Sequence, residues 1–308
     1  MGKMWKIALN IAIFLVVAGF IWYMVRSVNK EEVSYVENRE ETPFTSPCTE
    51  IASFQLPQEV NRFDLYGNRL FITAGDSVYV YDTQGKPSAS FSVKQSVRDI
   101  TVEEDKIYLL YPTFIEVYNH DGKLLREWEA CSELSDYCSF TLAGECLFVT
   151  DAENKNICKY TKDGNFVQFI KSPHNFIIPS YAFDIESRND TIYCVNSGRH
   201  LIEVYTPDGD FIAAFGGTGG EAGFFAGCCN PVYLSFAPEG ELITSEKGNP
   251  RISTFERNGT FKEVLLNSRL LGGGTNAYEV RTDGEHFFVA GKNKMSIYRY
   301  EKRIVNDI

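Results

Sequence analysis

Two cysteines stand side by side at 228 and 229, inside a Gly-Cys-Cys-Asn-Pro stretch, and they are the sharpest chemical feature of the chain. Neighbouring Cα atoms lie about 3.8 Å apart across a trans peptide, below the ~4.4–6.8 Å of an ordinary disulfide. A bond between Cys228 and Cys229 is therefore strained, and strain makes it easier to reduce. Export to an oxidising compartment would allow it to form. Oxidised, the pair is a stiff apolar platform suited to touching a ligand or answering redox conditions. Reduced, it is two thiols packed in a Gly-rich connection, with Asn230 and Pro231 fixing the turn that follows. The other six cysteines (Cys48, Cys131, Cys138, Cys146, Cys158 and Cys194) show no CxxC spacing, so no structural zinc or other metal site is expected. Cys194 reads as a core residue of an alternating strand. Cys131 and Cys138 flank a connection that they are placed to bridge, although sequence leaves connectivity open.

A second set of residues opens short apolar strands. Arg62, Arg98, Tyr181, Tyr233 and Tyr278 stand at strand starts, with Asp64, Asp99 and Asp184 close behind. If those strands converge on one axis, two arginines and several tyrosines surround an opening. Forked hydrogen bonds and ring stacking would then suit an anionic or sugar-like ligand. The blander outcome is local pairing at a solvated rim. Glu246, Lys247 and Arg251 form a charged corner in which Arg251 is expected to tie two loops through carboxylate or carbonyl contacts.

The elements that must position these groups repeat along the chain. The phrases VYVYDTQG (78–85), IEVYNHDG (115–122), ICKYTKDG (157–164), IEVYTPDG (202–209) and ISTFERNG (252–259) share one pattern, and SIYRYEK (296–302) is a turnless sixth copy. Their last aromatics, Tyr81, Tyr118, Tyr160, Tyr205, Phe255 and Tyr300, are spaced by 37, 42, 45, 50 and 45 residues. Alternating strands with polar Gly turns at a 40–45-residue period predict an all-β propeller, one four-stranded sheet per repeat. The sixth repeat stops after three strands. The segment 51–56 (IASFQL) is expected to supply its outer strand and seal a six-bladed ring over 51–308, which removes an exposed sheet edge.

The stretch 202–255 resembles NHL-repeat propellers in the order and spacing of Asp208-Gly209, Phe215-Gly216-Gly217, Phe224, Pro231, Glu239-Gly240, Ser245-Glu246 and Arg251. Asn249-Pro250 stands where the family carries its Asn-His pair. The linker 227–231 is similar to that of a bacterial NHL subgroup. The resemblance implies a six-bladed propeller used mainly for binding, and it names no ligand.

Net charge is −11, and the first thirty residues hold four bases and no acid, which leaves the remainder at −15. Such a surface repels phosphate backbones, so nucleic acid is set aside as a partner. Residues 7–25 form an apolar run interrupted only by Asn10, roughly 28 Å long as a helix and close to a hydrocarbon core. Lys3 and Lys6 precede it; Trp22, Tyr23 and Arg26 mark its far end. Residues 1–29 thus read as an uncleaved signal anchor. The positive-inside rule puts its start in the cytoplasm and the propeller on the extracytoplasmic side. Residues 30–50 read as a charged spacer.

No catalytic set emerges. Gly-x-Ser-x-Gly does not occur, and GGTGG at 216–220 lacks the helix and Lys-Ser/Thr of a phosphate loop. A calcium-dependent lactonase-like hydrolase would need Asp64, Asp99 and Asp184 to converge as oxygen ligands. His120, His174, His200 and His286 fall at different repeat positions, so the histidine ligands implied by lyase-type members of the resembled family have no counterpart. The expectation is a binding or scaffold module without cofactor, with the hydrolase and a redox accessory protein as alternatives.

Overall fold

The computed structural model describes residues 13–22 and 44–301. A helix covers 13–22 and belongs to the first of two units, Met1–Thr45; every strand belongs to the second, Ser46–Ile308. Among the described residues no helix is long and apolar enough to cross a membrane, and the run 7–25 extends beyond them at both ends.

The second unit begins with β1 (Cys48–Gln55). Blade 1 is β2 (Val60–Tyr66), β3 (Arg69–Ala74), β4 (Ser77–Asp82) and β5 (Pro87–Ser92). Blade 2 is β6 (Asp99–Glu103), β7 (Lys106–Leu110), β8 (Phe114–Asn119) and β9 (Leu124–Glu129). Blade 3 is β10 (Tyr137–Ala143), β11 (Cys146–Asp151), β12 (Asn156–Thr161) and β13 (Phe166–Ile170). Blade 4 is β14 (Ile185–Arg188), β15 (Thr191–Asn196), β16 (Leu201–Tyr205) and β17 (Phe211–Gly216). Blade 5 is β18 (Tyr233–Phe236), β19 (Leu242–Glu246), β20 (Arg251–Phe255) and β21 (Phe261–Leu266). Blade 6 is β22 (Val280–Thr282), β23 (His286–Ala290) and β24 (Lys294–Tyr300), with β1 as its outer strand. The inner strands neighbour one another in turn and β22 returns to β2, so the six sheets form a ring.

The closing strand runs Cys48–Gln55, where the sequence reading placed 51–56 and counted residues up to 50 as spacer. Thr49 faces Arg299 and Glu50 faces Tyr298 in the ladder, and Glu50 also pairs with Lys294 at 2.7 Å, so alternation toward β24 begins earlier than the apolar residues suggest. Phe54 stacks on Tyr81 of blade 1 at 4.7 Å.

Six apolar clusters lie one between each pair of neighbouring blades. The repeat's aromatic marker explains them. Tyr81, Tyr118, Tyr160, Tyr205 and Phe255 each pack into the seam with the preceding blade, and Tyr300 lies against the last cluster. The turn glycine beside each marker serves the same seam. Gly85, Gly122, Gly164, Gly209 and Gly259 sit against Phe54, Phe91, Trp128, Ile170 and Phe215, all from the outer strand before. At Gly259, φ is +92° and an added Cβ would lie 2.3 Å from the Phe215 ring, so both backbone and space demand glycine.

Candidate functional site

A propeller leaves a peculiar debt at its centre. The edges of its inner strands face an axis, not another strand, so some of their N–H groups lack a ladder partner, and buried donors must be satisfied. This chain meets five of the six seams with side chains from the neighbouring blade. Glu279 accepts from Phe63 N–H at 3.0 Å, Asp64 from Val102 at 2.8 Å, Asp99 from Phe140 at 3.0 Å, and Asp184 from Leu234 at 2.7 Å. The Ser139 hydroxyl accepts more weakly from Ile185 N–H at 3.4 Å.

Arg62 binds these acids together at one level of the axis. Its Nε donates to Asp99 Oδ1 at 2.9 Å and its terminal nitrogen to Asp184 Oδ1 at 2.8 Å, while Glu279 lies 3.3 Å away. The guanidinium rests 4.7 Å from the Tyr233 ring centre. The Ser139 hydroxyl lies 2.7 Å from Asp99 and 2.8 Å from Asp184 and donates to one at a time. Residues of six blades thus meet around one cation. Arg281 forms a second tier, 3.0 Å from Glu186, 3.2 Å from Glu279 and 3.5 Å from Asp64.

Two guanidiniums face five carboxylates here, and burial governs the result. Burial pushes Glu186 up to about 8, with Arg281 opposing and Asp184, Asp64 and Asp99 adding to the rise. Burial likewise carries Glu279 up to about 7 against the pull of Arg62 and Arg281. Asp64 moves in the same direction for the same reason. A fifth of the Glu186 side chain still meets solvent (21%), so water tempers its shift more than that of Glu279 at 3%.

The anticipated channel-mouth set therefore divides. Arg62, Asp64, Asp99 and Asp184 are joined in the axial network, and Arg62 is not free to receive an anion. Arg98 and Tyr181 stay at the mouth, the guanidinium 5.4 Å from the ring centre and 3.3 Å from Asp136. Tyr181 does not open an inner strand as its sequence position suggested. Pro179 starts a single 3₁₀ turn, Ser180 and Tyr181 take φ of +58° and +57°, and β14 begins only at Ile185. That turn leaves Tyr181 58% exposed. The Tyr278 hydroxyl donates to Gly273 O at 3.0 Å.

Two adjoining cavities occupy this mouth. One, about 350 Å³, is lined by Glu59, Lys247, Asn276 and Tyr278 among others. The other, about 360 Å³, is lined by Arg98, Ser180, Tyr181 and Arg62 among others. They share Asn61, Val232 and Tyr233. Cys228 is exposed and Cys229 buried, with free thiols whose sulfurs lie 3.0 Å apart. Burial raises Cys229, but hydrogen bonds from Cys228 and Lys247 and the Lys247 charge outweigh it, so its net shift is downward; the bond to Cys229 raises Cys228. Asn230 carries the pair, its amide donating to Ala226 O at 2.6 Å and Lys247 O at 2.9 Å and accepting from Lys247 N–H at 2.8 Å. Pro231 follows through a cis bond. Glu246 accepts from Arg251, which also donates to Phe224 O, at 2.7 Å each, so Arg251 ties two loops.

Sequence reasoning missed Glu279, Arg281, Glu186 and Ser139. The signal available was their place in or immediately before inner strands, but only the closed ring sets them around Arg62 and its acids. The histidines lie apart: His120 by Arg69, His174 by Glu203 and His286 by Asp283. Glu203, buried with bonds from Ser172, Asn196 and Tyr205, repeats the Glu116–Tyr118 arrangement of blade 2 and reads as blade structure, not as a catalytic dyad.

The fold and the plugged axis define the protein as a six-bladed β-propeller. Among solved structures it is similar to virginiamycin B lyase from Staphylococcus aureus, at 14% identity and a TM-score of 0.60 over 80% of this chain and 98% of that one. It is also similar to a protein of unknown function from Bacteroides thetaiotaomicron (13%, TM-score 0.59, 82% and 72%) and to the Pan2 WD40 domain of Neurospora crassa (8%, TM-score 0.56, 85% and 98%). At these identities the likeness is one of fold. No protein-family model matches the chain, and no curated protein matches it.

Proposed function

We propose that the propeller is a binding or scaffold module of NHL type, carried on the extracytoplasmic side of a membrane by residues 7–25, and that its ligand seats in the paired cavities at the mouth. One observation carries the choice of binding over hydrolysis. The carboxylates that a calcium-dependent hydrolase would need, Asp64, Asp99 and Asp184, are committed to Arg62, Arg281, Ser139 and inner-strand N–H groups. The groups left facing the cavities, Arg98, Tyr181, Lys247, Asn61 and Asn276, suit a polar ligand with acidic or sugar-like groups. The membrane part of the reading rests on the apolar run and the charges flanking it.

A photo-crosslinking residue at Asn276 of the full chain, in its own membrane, should give a discrete adduct, and one at Asp163, in the β12–β13 turn, should not. Arg98→Ala should weaken the adduct. Ester or lactone turnover that requires calcium and falls with Asp99→Asn would overturn the proposal. A redox accessory role is favoured by the Cys228–Cys229 spacing beside Lys247. It predicts that a mild reductant alters the Asn276 adduct and that Cys228→Ser removes the response.

A further inference from the structure

The second thiol pair in the molecule is Cys131 and Cys158. Cys131 lies in the connection from β9 to β10, half-buried, and Cys158 is fully buried in β12. Their sulfurs are 3.4 Å apart, so Cys131 faces Cys158 and not Cys138, one pairing the sequence left open; the Cys138 sulfur points to Asp136 O at 3.8 Å. The pair is held on both sides. Cys131 N–H donates to the Tyr137 hydroxyl at 3.2 Å, which lies 2.5 Å from the Tyr160 hydroxyl, and the Cys158 thiol donates to Asn156 Oδ1 at 3.4 Å. Ala130 N–H and Tyr137 N–H bond Thr113 O and Pro112 O, each at 2.8 Å, and pin the connection at both ends.

We propose that Cys131 and Cys158 form a disulfide as the chain folds outside the cytoplasm, which rests on the extracytoplasmic reading above. The sulfurs need approach by only ~1.4 Å to reach bonding distance. The oxidant is the disulfide of an exported thiol oxidase or of oxidised glutathione. One thiolate attacks that disulfide to give a mixed disulfide and release one carrier thiol. The second thiolate then displaces the other carrier sulfur. Two S–H bonds are lost, one S–S bond forms, and two electrons and two protons end on the carrier dithiol. Burial raises the Cys158 thiol well above its ordinary range, so reaction belongs to the assembling blade and not to the sealed ring. The bond would fix the connection carrying Asp136, the partner of Arg98 at the mouth.

The test is denaturation of the full chain, taken rapidly from its cells, in excess maleimide so that buried thiols are also reached, followed by peptide mapping without reductant. The expected result is a peptide linking Cys131 to Cys158, both unlabelled until reduced. Cys131→Ser, and separately Cys158→Ala, should free the remaining thiol for labelling and lower the melting midpoint by several degrees. Both thiols labelled without reduction, or a peptide linking Cys131 to Cys138, overturns the proposal. In that event refolding in a glutathione redox buffer separates the causes. A link formed there places the failure in the extracytoplasmic reading, and its absence places it in the geometry.

Discussion

Replacing Arg62 by Met tests whether the axis is held by charge. The substitution keeps an unbranched chain of similar reach and removes the cation. It strips Asp99 and Asp184 of hydrogen bonds at 2.9 and 2.8 Å and leaves Glu279 with Arg281 as its one cation beside the Phe63 N–H. Two charge-assisted bonds at ~1.5–3 kcal/mol each give about 3–6 kcal/mol. Removing one partner of a buried ion pair costs a similar ~3–5 kcal/mol, because the carboxylates stay buried without compensation. At ~2–4 °C per kcal/mol for a domain of this size, the melting midpoint of the full chain in detergent should drop by about 6–20 °C at pH 8. The deficit should shrink toward pH 5, since Glu279, carried up to about 7 by burial, is protonated there and no longer needs the guanidinium. Circular dichroism melts across that range read both quantities. A Met variant that melts with the parent, or a deficit that does not change with pH, would refute the view that Arg62 clamps the ring.

Further outcomes follow from the same geometry. Glu186 and Glu279 ionise less readily in the ring than their ordinary value of 4.5, so folding takes up protons and stability should fall as pH rises through about 7–8; Glu186→Gln should flatten that slope in pH-dependent denaturant titrations. Gly259→Ala should cost about 2 kcal/mol or more, read as a lower denaturant midpoint, because φ is +92° and Phe215 must shift. Asn230→Asp sets a carboxylate against Ala226 O and Lys247 O and should cost about 3 kcal/mol at pH 7, with part recovered near pH 4 when the acid is protonated; equal melts at both pH values would argue against it.

The ring was legible because its repeating residues do local work. Each marker aromatic fills a seam and each turn glycine gives way to a side chain from the blade before, so the pattern must recur with every blade. The closing strand was legible because blade 6 lacks one. The site was harder to read. Arg62 and Asp99 are 37 positions apart and Arg62 and Glu279 more than two hundred, and nothing local distinguishes a carboxylate that caps a neighbour's N–H from one that awaits a ligand. Tyr181 misled for a local reason: apolar alternation continues through 181–187, but Pro179 and two left-handed residues turn the chain before the strand begins. The Cys131–Cys158 approach depends on how a connection folds back over β12, which spacing does not encode.

The outer strand of blade 6 comes from the opposite end of the sequence, and this imposes an order on biogenesis. Residues 48–55 are synthesised before every other strand of the ring but meet β24 only after the other sheets have been made. Until then the growing polypeptide carries an orphan strand at one end and a ribosome at the other. Premature termination anywhere before Lys294 forfeits the ladder that joins them, leaving a crescent with raw edges where a circle should be.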